Sequence, residues 1–170
     1  HNGIDIKGIL RAGVNGVGRI LTGHSPNEGA STLTQQLLKN NVFTTWTQEN
    51  SLERIKRKVQ EQSLALQLEA NLTEEGKDTK SVILENYLNT INLGAGAYGV
   101  QAASRQYFNK DVWDLNLSEC ATLAGITQAP TKYNPIENPK ENAKRRKEVL
   151  DHMLEQGYID QTSYEEALYD

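Results

Sequence analysis

A mainly helical fold, all-α or nearly so, is what this sequence predicts, and three observations predict it. Apolar residues recur at three- and four-residue spacings along most of the chain. These stretches are bounded by helix-start residues and by glycine or proline stops. Strictly alternating strand patterns and internal repeats do not occur. At 170 residues the chain suits one domain with a single core, residues 1–170.

Ile4 to Ala12 reads as a short amphipathic helix. The following stretch, RAGVNGVGRILTGHSPNEG, is so rich in glycine that a mobile loop or a weak helix is expected. A stronger helix is expected to begin near Ser31, because Thr32 and Gln35 have capping-box spacing and Gly29 before them lets the backbone turn. Within it Leu33, Leu37 and Leu38 form an apolar stripe, while Gln35 and Lys39, and Gln36 and Asn40, lie four apart on other faces. A second helix carries Leu52, Ile55, Val59 and Leu66 on one side and Arg54, Arg57, Lys58 and Glu61 on the opposite side. Leu64 and Leu68 then fall on the charged side, so this helix is expected to pass from a solvated rim into the core, with Glu61 at the border.

A third helix spans about Lys80 to Leu93 and stops at Gly94. GAGAYG makes a tight, glycine-permitted turn into the helix VQAASRQYF. Another helix starts at Ser118 and ends before Pro130. Asn138 and Pro139, with Glu141 at the third position, open a helix that stops near Gly157.

Chemistry is concentrated in two of these elements. The helix start at Ser31 and Thr32 offers hydroxyls, amides and unpaired N–H groups beside the positive end of the helix dipole, a setting that attracts anions. Glu61 is within reach of both Arg57 and Lys58. Such a carboxylate belongs either to a surface ion-pair ladder or to a partly desolvated site. Taken together, the two helices suit a phosphorylated substrate.

Other function classes are excluded. A net charge of −4 argues against general nucleic-acid affinity, since the positive charge is local to Lys39 and to Arg54 through Lys58. No run approaches the roughly eighteen apolar residues needed to span a bilayer, so the chain as written is expected to be soluble. Cys120 stands alone in a small-residue helix and reads as a buried small hydrophobe. His1, His24 and His152 lack ligand-like spacing, which makes a protein-built zinc site improbable.

The ordered strings GASTLTQQLLKN, RKVQE, KSVILENYLNTINLGAGAYGVQAASRQYF and LSECATLAGITQAPTKYNP resemble the peptidoglycan glycosyltransferase (transglycosylase) domain, glycosyltransferase family 51. That domain occurs in class A penicillin-binding proteins and in monofunctional transglycosylases. The likeness runs from His1 to about Tyr158. It implies a lysozyme-like helical lobe with a smaller, mobile, membrane-facing lobe, to which residues 13–29 would belong.

The activity it implies is polymerisation of lipid II into glycan strands with release of undecaprenyl pyrophosphate. Residue by residue, the match assigns Lys39, Arg57 and Lys58 to the pyrophosphate, and Ser31, Thr32, Gln35, Gln36 and Asn40 to hydrogen bonds around the donor. Glu61 matches the second acidic residue of the family, a supporting carboxylate that orients those cations or a divalent cation, Mg or Mn, at the pyrophosphate. No tightly bound cofactor is implied. Glu85, Tyr87 and Asn89 are implied to be core or cleft-wall residues.

The implied partners are lipid II, the growing glycan strand and the outer face of the bacterial cytoplasmic membrane, with a C-terminal transpeptidase domain possible in the whole protein and no nucleic acid. One departure stands out. HNG at the start matches only the last three positions of the first family motif, whose acidic general base would lie seven places before His1. The chain as written is therefore expected to be a piece of a longer protein, to lack that base and to be inactive in polymerisation. Two alternatives follow: a non-catalytic fragment that binds lipid II or moenomycin, and a lysozyme-like glycan hydrolase.

Overall fold

The computed structural model describes residues 32–43 and 50–169. Expectations for Ile4 to Ala12, for the glycine-rich stretch and for Ser31 lie outside the described residues. Seven α-helices occur among the described residues, with no strand and a single isolated bridge between Asn92 and Tyr98. The chain divides into two compact units, His1–Tyr87 and Leu88–Asp170.

The first unit holds α1 (Leu33–Val42), α2 (Ser51–Glu74) and most of α3 (Thr79–Thr90), with α1 packed on α2. Thr32 caps α1, so the helix proper starts at Leu33. Asn50 caps α2 by accepting from the N–H groups of Leu52 and Glu53, while Glu53 returns a carboxylate oxygen to the Asn50 N–H.

The face of α2 turned inward is opposite to the expected one. Arg57, Glu61, Ala65 and Leu72 are buried and Leu64 and Leu68 half-buried, whereas Leu52, Ile55 and Val59 are 73%, 62% and 61% exposed. The expected rim position of Glu61 is thus corrected, since it lies at 0% exposure. α1 behaves the same way. It buries Thr34 and Gln35, leaves Leu33 exposed and keeps Leu37 and Leu38 half-buried. Ala65, fully buried between charged neighbours, has no side chain beyond Cβ to hold α1 away.

α3 ends at Thr90, three residues before the expected Leu93. Ile91 and Leu93 instead donate and accept in a tight turn, where the Leu93 N–H meets the Ala97 carbonyl at 2.9 Å and the Gly99 N–H meets the Ile91 carbonyl at 2.8 Å. Those turn bonds replace the continuing helical ladder. Of the three residues expected to line the core or a cleft here, Tyr87 is buried while Glu85 and Asn89 are exposed.

The second unit contains α4 (Val100–Phe108), a 3-10 turn (Val112–Asp114), α5 (Leu117–Ile126), α6 (Pro139–Glu155) and α7 (Gln161–Tyr169). Gly99 precedes α4 at φ +81°, and a Cβ there would lie 2.5 Å from the Asn89 carbonyl oxygen, so glycine is required on both counts. Ala121, Leu150 and Ala167 form one buried core cluster of this unit, with Leu117, Val149, Ile159, Tyr164 and Leu168 packed around them. α5 buries Ser118, Ala121, Thr122, Gly125 and Ile126. Cys120 therefore points outward and is exposed, contrary to its reading as a buried hydrophobe. Pro139 is the first residue of α6 as expected, but Asn138 directs its side-chain amide to the Thr131 carbonyl and does not cap the helix.

Candidate functional site: a buried cation and carboxylate cluster

The site is built where α1 crosses the charged face of α2. The Thr32 Oγ1 accepts from the Gln35 N–H, and the Gln35 Oε1 accepts from the Thr32 N–H, both at 3.3 Å. This reciprocal pair turns the Gln35 side chain back toward its own helix start. Gln35 is buried, and its Nε2 has no hydrogen-bond acceptor among the described residues. Gln36 is half-buried, and its Oε1 accepts from the Tyr87 hydroxyl at 3.3 Å. Thr32 and Lys39 are half-buried, and Asn40 is exposed.

On α2, Glu61 accepts from two cations, one on each oxygen. Arg57 Nη1 donates to Oε1, and Lys58 Nζ donates to Oε2 at 2.8 Å. Arg57 is buried, though less completely than its partner, and the Lys58 side chain is 43% exposed. The two pairs differ in energy for that reason. The Arg57–Glu61 pair is desolvated and depends on its geometry, whereas the Lys58 contact is partly screened by water.

Lys39 of α1 lies within electrostatic range of Lys58, Glu61 and Arg57. Burial, reinforced by the positive charges of Lys58 and Arg57 and opposed in part by Glu61, holds the Lys39 ammonium below the ordinary lysine value. Three cations thus converge with a single carboxylate among them. An anion entering here would relieve the repulsion among the cations and raise the affinity of Lys39 for its proton.

The structure therefore brings Lys39, Arg57, Lys58 and Glu61 together, with Thr32, Gln35 and Gln36 at the start of the same short helix. Ser31 lies outside the described residues. Two residues of this interface escaped the sequence reading. Thr34 Oγ1 donates to Glu69 Oε1 at 2.6 Å, with Thr34 buried. The four-residue steps from Arg57 through Glu61 and Ala65 to Glu69 were the signal that could have found the second of them.

A protein-held divalent cation does not fit these residues. Both Glu61 oxygens already accept from cations, and no cluster of three or more His, Cys, Asp or Glu side chains suited to a metal occurs among the described residues.

The transglycosylase family model matches residues 1–154. Penicillin-binding protein 1A of Clostridium acetobutylicum is 46% identical over 175 residues, covering 100% of this chain and 21% of the relative. The protein of the same name from Aquifex aeolicus is 45% identical over 170 residues, covering 99% of this chain and 21% of its own length. The crystal structure of penicillin-binding protein 1A from Haemophilus influenzae superposes with a TM-score of 0.52 at 44% identity, over 59% of this chain and 15% of that one. The chain thus spans about a fifth of the length of the curated relatives it matches. With its sequence matched along nearly its whole length, the chain belongs to the transglycosylase family.

Proposed function

We propose that this chain carries the glycosyl-transfer chemistry of a peptidoglycan glycosyltransferase, joining lipid II units into a glycan strand and releasing undecaprenyl pyrophosphate. The observation that carries the reading is the convergence of Lys39, Arg57 and Lys58 on one carboxylate. In the proposed reaction the 4-hydroxyl of the acceptor sugar attacks the anomeric carbon of the donor, whose bond to the diphosphate breaks with inversion. The leaving diphosphate gains negative charge as that bond lengthens. Cations held in place before the reaction stabilise this charge without reorganising.

Lys39 acts as a desolvated point charge, and Arg57 supplies a planar guanidinium held in place by Glu61. Lys58 reaches the same anion from the solvent side. Glu61 orients the two cations of its own helix. Thr32, Gln35, Gln36 and Asn40, together with Ser31, offer hydrogen bonds around the donor, and the buried Gln35 Nε2 is a donor with no acceptor among the described residues. The acceptor proton goes to the acidic residue that the family places before the segment matching His1. No step here uses a divalent cation.

A hydrolase of the lysozyme type would need a carboxyl group able to hold and deliver a proton, whereas both oxygens of Glu61 accept from cations. The proposed place of action is the outer face of the bacterial cytoplasmic membrane, where the lipid-linked sugar is displayed; no helix among the described residues is long and apolar enough to cross a membrane.

The test is polymerisation of lipid II by the full-length protein carrying Lys39→Ala or Lys58→Ala. Removing a charge-stabilising group from the transition state is expected to lower turnover by about 10²- to 10³-fold with the fold retained. Native rates in both variants would refute the assignment.

A further inference from the structure

Side-chain hydrogen bonds of Thr34 and Gln36 tie α1 to its neighbours, and neither involves a residue assigned to the substrate through its charge. Thr34, buried in the first turn of α1, donates its hydroxyl to Glu69 Oε1 at 2.6 Å. Glu69 is half-buried on α2, and no cation lies within ion-pair distance of it among the described residues. Two residues further on, Gln36 accepts from the hydroxyl of Tyr87 on α3 at 3.3 Å. Burial raises the Tyr87 phenol above its ordinary value, so that hydroxyl remains a donor throughout the physiological range.

Glu69 is an unusual choice for a helix-packing position. It stands on the same four-residue ladder as Arg57, Glu61 and Ala65, where an apolar side chain would cost nothing in desolvation. Its place in the ladder suggests what it does. Thr34 bonds to Glu69 while Lys39, further along α1, lies within electrostatic range of Glu61, further back along α2, so the two helices run in opposite directions. Five residues of α1 advance about 7.5 Å and eight residues of α2 about 12 Å, a difference the long lysine side chain can span. A slip of one helical turn would carry Lys39 about 5.4 Å from the cluster. Ala65, fully buried on the same four-residue ladder between Glu61 and Glu69, has no side chain beyond Cβ with which to fix the register.

We propose that Thr34 and Glu69 are a positioning pair that sets the axial register of α1 on α2, and thereby places Lys39 beside Arg57 and Lys58 for the diphosphate leaving group. The proposal rests on the glycosyltransferase reading above, and neither residue touches the reacting atoms.

The experiment compares Thr34→Val, Thr34→Ser, Glu69→Leu and Glu69→Gln in the full-length protein, with lipid II as substrate. kcat and KM are measured per folded molecule, well below the melting temperature of each variant. Thr34→Val and Glu69→Leu are expected to lower kcat by about 10- to 100-fold, the effect of displacing a charge by an ångström or more. Thr34→Ser and Glu69→Gln keep the hydroxyl and the acceptor oxygen and are expected to stay within about 3-fold of the parent, and the double Val/Leu variant to be no worse than the worse single.

A normal kcat in Thr34→Val, with only the melting temperature lowered, would reduce the pair to a structural contact and overturn the proposal. Equal damage from Glu69→Gln and Glu69→Leu would overturn it too, by making the charge and not the hydrogen bond the essential feature. Lys39→Ala serves as the control: its loss of turnover alongside a neutral Thr34→Val rejects the register pair alone, whereas full activity in Lys39→Ala rejects the underlying reading.

Discussion

The Arg57–Glu61 pair is the point at which the fold and the proposed chemistry make opposing demands, and a double-mutant cycle measures the conflict. Both side chains are almost completely buried, at 7% and 1% exposure. Glu61→Leu leaves Arg57 without that carboxylate in a low-dielectric setting, and removal of one partner from a buried pair costs about 3–5 kcal/mol. Arg57→Met leaves the Glu61 charge with the Lys58 ion pair, which is 43% exposed and compensates by no more than about 1 kcal/mol, and with Lys39 within electrostatic range. Each single substitution should therefore destabilise by about 3–5 kcal/mol, or about 6–20 °C in melting temperature for a chain of this size.

The double variant Arg57→Met with Glu61→Leu replaces the pair by apolar groups of similar bulk. It should recover most of the loss, because the desolvation cost of both charges disappears with them. Urea unfolding followed by circular dichroism gives the three free energies. Glycan polymerisation measured in parallel should stay low in all three variants, including the stable one. Single substitutions that each cost less than about 1 kcal/mol, or a double variant as unstable as the sum of the singles, would refute the reasoning.

Lys39→Met should abolish diphosphate affinity without lowering the melting temperature, because the ammonium is held below its ordinary value by burial and by neighbouring cations. The sign follows from proton linkage. The unfolded chain holds the Lys39 proton to higher pH than the folded one, so stability rises with pH between the lowered folded value and the ordinary lysine value, and that rise should vanish in the variant's pH–stability profile. Gly99→Ala should destabilise by more than about 2 kcal/mol, while Gly96→Ala, with a similar φ of +78° but nothing within 4 Å of its Cβ, should cost only about 1–2 kcal/mol in thermal melts. Asn50→Ala removes the cap of α2 and should cost about 1 kcal/mol, read as a lower urea midpoint with an unchanged slope.

Much of this protein was legible in the sequence because much of it is local. The capping box at Thr32 and Gln35, the helix VQAASRQYF and the glycine turn before it, and Pro139 at the first position of α6 each depend on residues within a few positions of one another. The same logic was available in N-x-x-E at Asn50–Glu53 and Asn116–Glu119, both of which form capping boxes. The spacing that lets Arg57 and Lys58 reach Glu61 is likewise a property of one helix. Periodicity states which residues share a face, but not which face meets a neighbour. The choice between the Leu52, Ile55, Val59 stripe and the Arg57, Glu61, Ala65 stripe was made by tertiary packing, against the hydrophobic pattern. Lys39 approaches Glu61, and Thr34 approaches Glu69, only because α1 lies on α2, a contact between residues 22 to 35 positions apart that no local rule encodes. The sequence by itself thus determined the helices, their caps and the identity of the charged groups, through short-range hydrogen bonding and helical geometry. The tertiary structure alone decided which of those groups leave water, because desolvation depends on what the rest of the chain places against them.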